Sequence, residues 1–219
     1  LQKANANTNA YFAKELIFLY KIQIEITMNH QKLTNLLKEY GPISATDKQN
    51  IEKFFIPIQV KKKQILIEKN SPCNKLFFIN SGILRAYYIN NKGREITRMF
   101  AWEGRFLTNI GSFRALSENN EIIECVKCAN ILSINRDDFE KLMKSSLHLK
   151  CVYADLLEKY NILHIKRFEA LNTFDMEMKL ANLKNDFPHL ITELNDSLLA
   201  SFLGISRIHF VNNKHLLYK

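Results

Sequence analysis

Nine consecutive residues near the end of this 219-residue chain, Ser206 to Lys214, read SRIHFVNNK. On a helix capped by Ser206, the side chains of Arg207, His209, Asn212, Asn213 and Lys214 form one polar, cationic edge. Each type has a counterpart on duplex DNA. Arginine takes guanine bidentately and asparagine takes adenine, while His209, Lys214 and His215 reach phosphates or base edges. The helix start at Ser206 also favours a backbone phosphate, because its free N–H groups attract anions.

The residues just before must position that edge. In SLLASFLG, Leu198, Leu199, Phe202 and Leu203 make an apolar helix face, and Asn195 or Asp196 supplies its cap. Ala200 is small enough to let a second helix cross closely. Gly204 suits the left-handed turn that ends a helix, Ile205 plugs the turn, and Ser206 caps the second helix. Ile208 or Phe210, with Val211, is expected to face the first helix. The whole is a helix-turn-helix. Two amphipathic helices hinged at a glycine also serve plain packing, so the motif needs its context.

The rest of the chain offers little competing chemistry. Cys125 and Cys128 form a C-x-x-C, but within an apparent strand, where residues three apart point to opposite faces. A second ligand pair is absent, so buried, reduced core thiols are expected rather than a metal site, which fits a cytoplasmic setting. The histidines at 30, 148, 164, 189, 209 and 215 are scattered, and no nucleophile–base pair or phosphate-binding loop is legible, so no enzyme is expected. The formal net charge of +9 favours a polyanionic partner, nucleic acid before membrane. No apolar run is long enough to span a bilayer.

Helical spacing covers 29–54, with Leu33, Leu36 and Leu37 on one edge, Ile51, Phe54 and Phe55 on another, and Ser44 or Thr46 as a cap. From about 54 to 135 the residues turn β-branched and aromatic, with hairpin signals at NSG (80–82) and NNKG (90–93), which implies an antiparallel barrel. Leu149, Tyr153, Leu156, Tyr160 and Leu163 then recur at a spacing of four, three, four, three. That is a coiled-coil seam, and a single buried helix face has the same pattern. Residues 1–27, ahead of Met28, lack the pattern of a signal peptide, and Met28 is expected to be the natural start.

Barrel, long helix and C-terminal helix-turn-helix, in that order, resemble the Crp/Fnr family of bacterial transcription regulators. FFINSGILRAYYINNKGREITRMFAWEGRFLTNIGSF resembles the sensor core of the branch common in Bacteroidetes, and LLASFLGISRIHF resembles its DNA-binding motif. The resemblance implies an α+β fold. Its parts would be a jelly-roll-like β-barrel (a double-stranded β-helix) at 28–135, a dimerisation helix at 136–172 and a DNA-binding domain at 173–219. It further implies a homodimer reading a two-fold operator on double-stranded DNA, with RNA polymerase as a further partner, a small-molecule effector and no membrane. A ligand-binding or dimerisation module of the same fold, without DNA binding, is the alternative.

The match departs from the family at telling positions. Members that bind a cyclic nucleotide hold its phosphate with Gly-Glu and, after a loop, an arginine. Here Glu103–Gly104–Arg105 is reversed, and Asn119 or Asn120 stands where the arginine is expected, which argues against cyclic AMP. Trp102, Glu103, Arg105, Thr108, Asn109 and Ser112 are the pocket candidates for another effector, of unknown identity. The N-terminal cysteine cluster of an iron–sulfur sensor is missing, since the first cysteine is Cys73. On the recognition helix, Arg207 stands at the first reading position, but Ile208 replaces a glutamate and Asn212 a second arginine. The residues beyond that helix are too few for a β-hairpin wing, which would shift phosphate contacts to Lys214, His215 and Lys219.

Overall fold

The computed structural model describes residues 29–218. Met28 with the segment before it, and Lys219, lie outside the described residues.

Helix α1 (residues 29–38) and α2 (Ala45–Phe54) lead into the sheet. Ser44 caps α2, its hydroxyl accepting from the Asp47 amide. The strands are β1 (Ile56–Val60), β2 (Ile65–Ile67), β3 (Lys75–Ile89), β4 (Glu95–Ala101), β5 (Phe106–Leu107) and β6 (Ile122–Asn135), with α3 (Ile110–Ala115) before β6. All pairings are antiparallel, in the order β1-β6-β3-β4, with β2 added to β6 and β5 to β3. The path does not close on itself. It is a jelly-roll-like wrap built on two long, bent strands, β3 and β6.

The bending has a local cause. NSG at 80–82 is expected to turn the chain, yet β3 runs straight through it. The register slips at Ser81, and Gly82 adopts φ +87°. A Cβ there would lie 2.3 Å from the Cys128 carbonyl oxygen, so only glycine lets β6 approach. The signal marks a bulge, not a hairpin. NNKG is a true hairpin: Gly93 has φ +72° and the Asn90 amide donates to Arg94 O at 2.9 Å.

The interval 136–172, expected as one helix, is two. Helix α4 (Arg136–Ser145) ends at Ser146, which is extended and whose hydroxyl caps α5 (Leu147–Thr173) at the Leu149 amide. Four more helices come after it: α6 (Met176–Asp186), α7 (Pro188–Glu193), α8 (Asp196–Leu203) and α9 (Arg207–Asn213), with a 3-10 turn at Lys214–Tyr218.

Two cores result. One fills the wrap and the space beneath α1, α2, α4 and α5, with Phe77, Phe78, Leu84, Ile123 and Leu132 at its centre. The other lies on the opposite face of the sheet. There Ile83, Phe100 and Val126 pack directly against Leu183, Leu199, Phe202 and Phe210. The C-terminal helices therefore share a core with the sheet. Among the described residues no helix is long and apolar enough to cross a membrane.

Candidate nucleic-acid interface and effector cavity

The helix-turn-helix is α8, Gly204 and α9. Asn195 caps α8 by accepting from the Leu198 amide at 3.0 Å. Gly204 takes the left-handed conformation, φ +69°, and Ser206 caps α9 by accepting from the His209 amide at 3.1 Å. Ala200 is buried at the crossing and Ile205 packs on the second core.

Helix α9 is anchored by Phe210, which is 0% exposed. The expectation that Ile208 or Phe210, with Val211, faces α8 holds for Phe210. Ile208 is 73% and Val211 44% exposed, because the 100° step of a helix carries both away from the buried face. Arg207, His209 and Asn212 are exposed with them, as is Ser206. Asn213 and Lys214 are half-buried and already engaged. Asn213 Nδ2 donates to His209 O at 2.9 Å, and Lys214 Nζ pairs with Asp196 at 2.7 Å, bracing the end of α9 against the start of α8. The outward face thus presents an arginine, a histidine, an asparagine and two aliphatic side chains.

Specific contacts dock this unit on the sheet. The Thr97 amide and hydroxyl both bond Ser201 Oγ, at 2.9 and 2.8 Å, and Ser201 donates to Glu95 O at 2.9 Å. Arg167, from α5, donates from Nε to Arg98 O at 3.0 Å and from Nη2 to Thr97 O at 3.0 Å and Phe202 O at 2.6 Å. Its guanidinium also lies 3.7 Å from the Phe202 ring. Buried among carbonyls and without a carboxylate partner among the described residues, it has its pKa pulled down to about 10, desolvation being the cause.

On the other side of the sheet, a cavity of about 450 Å³ opens between α5 and the N-terminal helices. Its wall is apolar (Leu37, Phe55, Phe139 and Met143 among others), with Arg98, Thr108, Tyr160, Asn161 and His164 at one end. Tyr160 clasps β5, accepting from the Phe106 amide at 2.8 Å and donating to Phe106 O at 3.3 Å, and burial raises its phenol pKa. Burial, then Arg98 and Arg167, hold the His164 imidazole below its usual range.

The six pocket candidates part company. Thr108 lines this cavity; Trp102, Glu103 and Arg105 do not. Arg105 stacks on Trp102 at 3.8 Å, Trp102 meets His189 at 4.3 Å, and Glu103 pairs with Lys32 at 2.8 Å. Asn109 caps α3 and donates from Nδ2 to Glu121 Oε2 at 3.0 Å, and Ser112 donates to Glu118 O at 3.3 Å. Asn119, which stands where a phosphate-binding arginine is expected, is buried and committed. It donates to Glu68 O and Ser71 O, both at 3.1 Å, and accepts from the Glu121 amide at 2.7 Å. Beside it the buried Glu121 carboxylate is held by Arg98 and Asn109. Arg98, Tyr160 and His164 are cavity residues that the sequence reading does not single out as such; the register slip between Thr97 and Met99 sets Arg98 and Met99 both on the cavity wall, which simple strand alternation does not predict.

The stripe expected as a dimer seam packs instead on the chain's own first core. Leu149 is buried there, Tyr153 and Leu156 pack against it, and Tyr160 binds β5; Leu163 is 41% exposed. A four–three spacing marks a covered helix face without saying what covers it. The face of α5 turned away from that core exposes Leu147, Ile162, Ile165 and Phe168, while Leu157 lines the cavity. In the C-x-x-C, Cys125 is buried, donating toward Lys127 O and Val60 O, with its thiol pKa pushed up to about 11, while Cys128 is exposed.

Comparison with known proteins agrees with this geometry. Residues 57–146 match the cyclic nucleotide-binding domain family. No curated protein matches the chain. Among solved structures, the c-di-GMP-responsive global regulator CLP of Xanthomonas campestris superposes with a TM-score of 0.65 at 15% identity, covering 80% of this chain and 92% of its own. FixK2 of Bradyrhizobium japonicum gives 0.64 at 12%, covering 75% and 84%. A protein of Eubacterium rectale assigned to the crp/fnr family of transcriptional regulators gives 0.63 at 20%, covering 80% and 85%. The chain thus matches the cyclic nucleotide-binding domain family over 57–146 and, with its long helix and C-terminal helix-turn-helix, shares the fold of these solved structures.

Proposed function

We propose that the chain is a DNA-binding transcription regulator, working in the cytoplasm as a homodimer on a palindromic operator, and not an enzyme. One observation carries this. The helix after a capped, glycine-hinged turn is anchored by Phe210 and turns Arg207, Ile208, His209, Val211 and Asn212 outward. Arg207 suits guanine and Asn212 adenine. Ile208 suits a thymine methyl, which gives the departure from an acidic residue at that position a chemical sense.

The exposed face of α5, with Leu147, Ile162, Ile165 and Phe168, is the proposed dimer contact. A two-fold pairing along α5 would set two α9 helices on one side, and DNA requires them about 34 Å apart, one helical turn. An effector shifts that separation only if it binds one arrangement more tightly.

An electrophoretic mobility assay on the DNA upstream of its own coding sequence is the test. Binding that weakens steeply with salt is expected, because cationic contacts to phosphates release counterions. Absent or salt-insensitive binding would leave a ligand-binding or dimerisation module of the same fold.

A further inference from the structure

The cavity beside α5 has one polar corner, and that corner holds an open donor. Arg98 spends Nε on Glu121 and Nη2 on Thr108 O at 3.0 Å. Its Nη1 meets only the Met99 sulfur, at 3.9 Å, and so keeps a donor without an oxygen partner among the described residues. That donor is the corner's open group, carried on a guanidinium whose Nε is held by Glu121, while the remaining wall is aliphatic and aromatic.

A nucleotide fits this poorly, since its base and sugar would bury donors and acceptors against apolar wall. A neutral hydrocarbon would leave Arg98 Nη1 unanswered. We propose that the cavity binds a monocarboxylate with an alkyl or aryl body, the carboxylate at Arg98 and the body along α5, as the effector of the regulator proposed above. Its volume lies within the range of about 300–1,000 Å³ common to small-molecule sites. The site touches the docking contacts directly: the Arg98 side chain faces the cavity, and its carbonyl accepts from Arg167, which also holds Phe202 of α8. The word effector rests on the regulator assignment; occupancy of the cavity does not.

Calorimetric titration of the full chain with decanoate and with 1-decanol tests it. Decanoate should bind saturably, once per chain and about tenfold or more tighter than the alcohol, the loss expected for an unpaired charged partner. Leu157→Trp, at the cavity mouth, should weaken decanoate about tenfold or more at unchanged melting temperature. Arg98→Gln should erase the preference for the acid; should it misfold for want of a partner to Glu121, the alcohol comparison and Leu157→Trp decide. Equal binding of acid and alcohol overturns the carboxylate assignment. Unsaturable binding, or binding indifferent to Leu157→Trp, overturns the site. Decanoate that binds but leaves an existing mobility shift unmoved overturns the effector role. A chain that binds decanoate and shifts no DNA at all sinks the regulator assignment and leaves the cavity standing.

Discussion

Replacing Arg167 with methionine should loosen the helix-turn-helix from the sheet while sparing both folds. The guanidinium makes three bonds to backbone carbonyls, to Arg98 and Thr97 of β4 and to Phe202 of α8. Hydrogen bonds to a charged group contribute about 1.5–3 kcal/mol each, and stacking on an aromatic ring about 1–2 more. Against this stands desolvation, visible in the pull of the guanidinium pKa down to about 10. Methionine keeps the aliphatic stem on Phe202, so the net loss should be about 2–4 kcal/mol. Trp102, the only tryptophan, sits between the sheet and α7, beside Phe187 and His189, and so reports undocking by its emission. In urea, the variant should lose Trp102's native emission before far-ultraviolet ellipticity, and a protease should cut between α5 and α6 where the wild type resists. A loss below about 0.5 kcal/mol, with coincident transitions and unaltered cleavage, would refute the latch.

Other outcomes rest on single residues. Gly82→Ala should cost more than about 2 kcal/mol in denaturant unfolding, because φ is +87° and the new Cβ meets the Cys128 carbonyl at 2.3 Å. Gly204→Ala should cost about 1–2 kcal/mol, since at φ +69° its Cβ meets only the end of Leu171, at 3.3 Å. His164 and His189 are both held below their usual range, chiefly by burial. The unfolded chain then binds protons first, so stability is full above about pH 6.5 and falls as pH drops below it. His164→Gln should flatten that fall in thermal melts across pH 5–7, and an unchanged slope would count against it. Arg207→Ala should weaken specific DNA binding by about 1–3 kcal/mol and relax preference at one base per half-site; uniform weakening would make it a phosphate contact. Ile208→Ala should cut discrimination for one thymine by about 1 kcal/mol without lowering the melting temperature.

What could be read from the sequence was local. Asn195, Gly204 and Ser206 announce caps and a left-handed turn through their own chemistry, and each does in the structure what its type implies. Gly82 shows the limit of that logic. It too needs positive φ, but whether a glycine turns the chain or admits a neighbouring strand depends on Cys128 and Ala129, far away in sequence. The stripe on α5 fails similarly: a helix states which face is apolar, and only the fold states that β5 and the sheet's core cover it. Arg98 was illegible because its meaning comes from Glu121, Thr108 and α5 at once.

The shared core constrains how any signal could reach DNA. Turning α9 against the sheet would part Ile83, Phe100 and Val126 from Phe202, Leu199 and Phe210, and each buried side chain of this size contributes about 1.5–3 kcal/mol. It would also break the Ser201 and Arg167 contacts. A ligand can drive a change only by its differential affinity for two states, and a few kcal/mol is the usual scale of such coupling. A hinge between α5 and α6 therefore asks for more than one small molecule supplies. In the homodimer proposed above, changing the angle at which two α5 helices cross asks for far less, because it leaves each docked unit intact and moves each α9 as a rigid extension of its own sheet. A ligand lying along the inner face of α5, near Tyr160 and His164, is placed to act on that angle.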